Sequence, residues 1–120
     1  MRLLLLALGL AALPARAETA GKFACNLKAL TPEQRTAHEA LTGRLFKSVE
    51  TRREIPSGFE LRVDSKKMSI VELATWVDDE RRCCPFLGLA IEKEPQNGPL
   101  WLRLTGPEGV KDFLRAEMGG

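Results

Sequence analysis

The chain has 120 residues, 44% of them hydrophobic and 28% charged, which suits one domain with a modest core. Its formal net charge of +2 is carried by Arg2 and Arg16 near the N-terminus. Beyond them basic and acidic side chains cancel, which excludes the basic footprint a phosphate backbone requires.

"MRLLLLALGLAALPARA" opens with Arg2, continues as an apolar run from Leu3 to Leu13, and ends in the A-x-A site Ala15-Arg16-Ala17. This is the pattern of a secretory signal peptide over residues 1–17, and it predicts a periplasmic or secreted protein. The apolar run is short for a membrane span, and no other stretch is apolar and long enough to cross a bilayer. Residues 18–22 read as a flexible leader. Residues 23–120 read as a single domain.

"FACNL" alternates Phe23, Cys25 and Leu27 with Ala24 and Asn26, which predicts a short first strand. Helix one opens at Thr31, with Pro32 at the first helical position and Gln34 completing a capping box. Ala37, Leu41 and Leu45 are its expected apolar stripe, and it should run to about Lys47. "VETRREI" and "FELRV" flank "PSG" as a hairpin, with Phe59, Leu61 and Val63 on one face.

Ser69 and Glu72 form the capping box of helix two, whose expected buried stripe is Ile70, Leu73, Ala74 and Val77. That helix ends near Cys84, because Pro85 drives the residue before it out of the helical region. "FLGLAIEKE" and "LWLRLT" form a second hairpin around "PQNGP". "GPEGVKDFLRAEM" is a third helix, stopped by Gly119-Gly120. The order is β-α-β-β-α-β-β-α. Each strand has one apolar and one polar face, which predicts an α+β domain of two layers: an antiparallel or mixed sheet with helices on one face.

Three cysteines remain in the mature chain, Cys25, Cys83 and Cys84. An odd number in an oxidising compartment leaves at least one thiol free, metal-bound or paired between chains. Cys84 falls on the predicted stripe seven residues after Val77, while Cys83 leans toward an edge. A helix break at Pro85 lets both sulfurs turn toward one point. Three sulfurs there suit a thiophilic ion: mercury(II), copper(I), zinc or arsenite. Glu80, one turn before Cys84, adds an oxygen or orients a ligand, and Asp79 stands in the same relation to Cys83. The candidate metal set is therefore Cys25, Cys83, Cys84 and Glu80. His38, the only histidine, has nothing in the sequence steering it to this set and reads as a surface residue.

Two alternatives stand beside metal binding. One is a structural or interaction domain in which Cys25 forms a disulfide with Cys83 or Cys84; the adjacent pair is too close for an easy bridge of its own. The other, third in order, is a thiol-redox protein. Enzymatic readings are weak because the pair sits at a helix C-terminus, where the dipole disfavours a thiolate. A single histidine assembles no Ser/His/Asp set. No catalytic residue and no resident cofactor other than a soft metal ion is expected. Trp101 lies opposite the leucines of its strand. It offers either a solvated polar face or a surface for a protein partner.

Taken together, "ACNL", "IPSGFELRV" and "LATWVDDERRCCPFLGLAIE" resemble a family of small bacterial domains. Its marks are a strand-one cysteine and an E-x-x-C-C-P-F element, present here as Glu80, Cys83, Cys84, Pro85 and Phe86. Such domains occur alone and as tails on MerR-type heavy-metal-responsive regulators. The resemblance covers most of residues 23–115 and implies a metal-linked or thiol-linked role for Cys25, Glu80, Cys83 and Cys84.

Overall fold

A computed structural model describes residues 23–119. The predicted signal peptide (1–17) and leader (18–22) lie outside the described residues. Seven regular elements follow a short 3-10 turn: helix α1 (Pro32–Ser48), strands β1 (Val49–Ile55) and β2 (Gly58–Val63), helix α2 (Ile70–Cys83), strands β3 (Gly88–Lys93) and β4 (Leu100–Thr105), and helix α3 (Val110–Met118). The sheet order is β1-β2-β4-β3, antiparallel throughout. The fold class is α+β, as the pattern of faces requires.

Both capping boxes form as their residue spacing dictates. The Thr31 and Ser69 hydroxyls accept from the Gln34 and Glu72 backbone N–H groups, and those side chains reach back to the cap N–H. The second hairpin turns at Gln96 and Asn97, both with positive φ, and the Gly98 N–H donates to Pro95 O. Phe59, Leu61 and Val63 of β2 and Leu100, Leu102 and Leu104 of β4 are buried beneath the helices. Their alternate neighbours Arg62, Trp101 and Arg103 face the other way, at least partly exposed.

The predicted first strand does not form. Residues 24–26 are irregular, and Leu27–Ala29 make the 3-10 turn. The Asn26 side chain explains this, because it accepts from the Lys28 backbone N–H and caps the turn. Leu27 is exposed, so the apparent alternation of this segment never becomes a face. Its backbone meets the rest of the fold through the Asn26 N–H, which donates to Cys83 O at 2.7 Å. Phe23 packs with Phe86 and Phe113, at ring-centroid distances of 5.2 and 6.4 Å.

Two helical stripes are rotated from expectation. On α1 the buried residues are His38, Leu45 and Ser48, while Ala37 is exposed. On α2 they are Leu73, Trp76, Asp79 and Cys83, while Ile70 and Ala74 are exposed. A large ring at Trp76 removes more apolar surface from water than a methyl at Ala74, so it takes the inward position.

Candidate functional site

The site is built at the C-terminal end of α2. The last helical bond runs from the Cys84 N–H to Glu80 O at 2.8 Å, and Cys84 itself leaves the helix at φ −124°, ψ 68°. Pro85 enforces that departure. The break turns the Cys84 side chain toward the N-terminal segment, where Cys25 and Cys84 form a disulfide with their Cα atoms 4.6 Å apart. Cys83, still helical, is buried and free. Its sulfur is 3.8 Å from that of Cys84, so the three sulfurs converge on one locality. Both members of the pair are buried, which corrects the expectation that Cys83 leans toward an edge.

Glu80 lies beside the sulfurs. The Cys83 thiol lies 3.6 Å from Glu80 O and 3.7 Å from Glu80 Oε1, within sulfur hydrogen-bonding reach. Burial, then the Glu80 charge, pushes the Cys83 thiol up to about 11. Asp79 does not join. It is buried against Arg82, 3.2 Å away, and takes the part of an ion-pair partner.

His38 is the residue that the sequence misplaces. It is buried, and its Nε2 lies 2.8 Å from Glu80 Oε1. Its ring stacks on Trp76 with centroids 5.8 Å apart and planes 18° apart. The Trp76 indole N–H donates to Thr42 Oγ1, whose hydroxyl donates to His38 O. These contacts clamp α1 against α2 and fix the imidazole beside Glu80. One signal was available: His38, Leu41, Leu45 and Ser48 recur at helical spacing, a better stripe than one beginning at Ala37.

Two sets of possible donors result, each with its ligand atoms within 4.8 Å of one another: Cys25/Glu80/Cys84, whose sulfurs are donors only once the disulfide is opened, and His38/Glu80/Cys83. Both adjoin a cleft of about 650 Å³, walled by Phe23, Phe46, Trp76 and Phe113. Glu39, Glu80 and Glu117 also line it, and no lysine or arginine does among the described residues. The Glu117 carboxyl is raised by partial desolvation and then by the Glu80 charge, which places these two carboxyl groups in one space.

Trp101 sits on the opposite face of the sheet. Its indole N–H donates to Glu94 at 2.8 Å, and the Arg53 guanidinium lies 5.2 Å over its ring. Around it Glu60 pairs with Arg53 and Arg103. Among the described residues no helix is long and apolar enough to cross a membrane. No family model, curated protein or solved structure matches this chain.

Proposed function

We propose that this protein acts outside the cytoplasm and, in its reduced form, binds a thiophilic metal ion through Cys25, Cys83 and Cys84. Glu80 supports the site, and the role is sequestration or transfer of the ion. The carrying observation is the convergence of the three sulfurs, one pair bonded and the third 3.8 Å away. Mercury(II), copper(I), zinc and arsenite are the candidate ions, since soft thiolates select them. The likeness to domains that form tails on MerR-type regulators supports the same direction. The disulfide is then the oxidised, metal-free form. A dithiol reductant opens it by supplying two electrons and two protons, and ion binding displaces thiol protons to solvent.

The test is titration of the reduced protein with mercury(II), copper(I) and zinc, following the sulfur-to-metal charge-transfer absorption. Saturation at one ion per chain is expected, with loss of binding in the double variant Cys83→Ser, Cys84→Ser. Equal affinity in that variant would end the proposal.

A second reading follows from the disulfide itself: a non-catalytic domain in which Cys25–Cys84 simply ties the N-terminal segment to the end of α2. Protein taken from its native compartment separates the two. An intact Cys25–Cys84 bridge with no metal retained after reduction favours the structural reading.

A further inference from the structure

We propose that Cys83 and Glu80, together with His38, form a second cation site that overlaps the three-sulfur set, with one sulfur, one nitrogen and one oxygen donor, and takes a borderline divalent ion such as zinc while the Cys25–Cys84 disulfide is intact. Of the three sulfurs it uses only the free one. It therefore does not depend on the three-sulfur reading, which needs the bridge open.

The donors come from two packed helices. Glu80 and Cys83 stand three residues apart on α2 and face the same way, and α1 supplies His38. Donor atoms around one tetrahedral zinc lie about 3.3–3.8 Å apart, given its usual bond lengths. Cys83 Sγ and Glu80 Oε1 already sit at 3.7 Å. The His38–Glu80 edge, at 2.8 Å, is closed below that range, and the third edge lies within 4.8 Å. The short edge is closed because a proton lies between the two atoms, and an ion entering there takes the proton's place.

The protons balance. The divalent ion displaces the thiol proton of Cys83 to solvent. The neutral imidazole keeps its proton by moving it from Nε2 to Nδ1. Nδ1 is buried and has no hydrogen-bond partner, so no donor already occupies it; its N–H gains no acceptor in that tautomer, a cost the metal–ligand bonds have to exceed. The Cys83 thiolate and the Glu80 carboxylate then cancel the ion's two charges, which a buried site demands. A monovalent ion would leave a net negative charge in the same place.

The approach is also suited to a cation. Glu39 and Glu117 line the cleft beside Glu80 without a basic side chain among the lining residues. The cleft borders the site, so a water or a small molecule can complete the coordination of an ion held by three protein donors.

The probe is cobalt(II) added to the oxidised protein, with the Cys25–Cys84 bridge confirmed by mass mapping before and after. One equivalent is expected to bind, with a near-ultraviolet sulfur-to-cobalt band. His38→Gln and Glu80→Gln should each weaken binding by more than about 10-fold, the loss seen even when only a ligand's supporting partner is removed. Cys83→Ser should abolish the band. Lack of the band in the oxidised wild type, or an unchanged affinity in His38→Gln, overturns the site. If a variant does not fold, the wild type decides by thiol labelling: cobalt should slow the modification of Cys83, and an unaltered rate refutes the proposal. Mercury binding by the reduced protein alone, with no cobalt bound when oxidised, removes this site and leaves the three-sulfur reading intact. Cobalt binding when oxidised, with no soft-metal binding when reduced, does the reverse.

Discussion

The free sulfur of Cys83 lies 3.8 Å from the sulfur of Cys84, which is itself bonded to Cys25. A thiol this close to a disulfide invites exchange, yet exchange requires a thiolate. Burial and the Glu80 carboxylate keep Cys83 protonated, up to about 11. Alkylation of Cys83 in the oxidised native protein at pH 8 should therefore run about 100-fold or more below that of an unhindered cysteine. Peptide mapping at neutral pH should find only the Cys25–Cys84 bridge. A native rate equal to the unfolded rate would show that the thiol is not held in this way.

The same shift makes stability fall on the alkaline side. An unfolded Cys83 ionises at its ordinary 9.0, whereas the folded one keeps its proton to about 11. The folded state then binds more protons across that window, and stability declines as pH rises through it. Glu54, Glu60, Glu72 and Asp78 act at the other end. Glu54 is lowered by Lys111 and Arg115, Glu60 by Arg53 and Arg103, Glu72 by the Ser69 backbone N–H, and Asp78 by Arg81 and Arg82. Their contribution is present above the ordinary carboxylate range and lost as pH drops through it. Urea midpoints should peak near neutrality and fall in both directions. A midpoint flat from neutral to alkaline pH would contradict the burial of Cys83.

Opening the disulfide should cost stability. It links positions 59 apart in sequence, a closure worth about 4 kcal/mol in the chain-entropy model. Cys25→Ser, or reduction of the wild type, should lower the urea midpoint accordingly and loosen the Phe23–Phe86–Phe113 cluster. Denaturation curves that superimpose with and without reductant would mean that the bridge constrains nothing.

Gly58→Ala should be severe. A Cβ at Gly58 would stand 1.8 Å from the Leu104 carbonyl oxygen, so β2 and β4 have to separate to admit it. A loss of at least about 2 kcal/mol is expected, in the range of overpacked cores. Thermal denaturation measures it, and a melting temperature within error of wild type would refute the close approach.

Replacing Ser69 by alanine removes the side-chain acceptor for the Glu72 N–H and should cost about 1 kcal/mol. The larger interest is in α2's far end. If the whole helix frays, the amide of Cys84, bonded to Glu80 O, should exchange faster with solvent. Unchanged protection at Cys84 would show that the end of α2 is held independently of its N-cap.

Much of this architecture is legible one segment at a time. Thr31 and Ser69 start their helices through bonds to residues three positions on, Pro85 ends α2 by a clash with its neighbour, and the leucines of β4 alternate with polar residues because strand side chains alternate. Each effect acts over a few residues and needs no knowledge of the rest of the chain. The pairing of Cys25 with Cys84 rather than Cys83 and the burial of His38 against Trp76 and Glu80 are different. They depend on the rotation of α1 against α2 and on where the N-terminal segment crosses the end of α2. A shift of one residue around either helix moves His38 or Cys83 out of the cluster, and local periodicity does not resolve so small an angle. Helix and strand identities were therefore decided by neighbours along the chain, and the meeting of sulfur, imidazole and carboxylate was decided by packing between elements far apart in sequence.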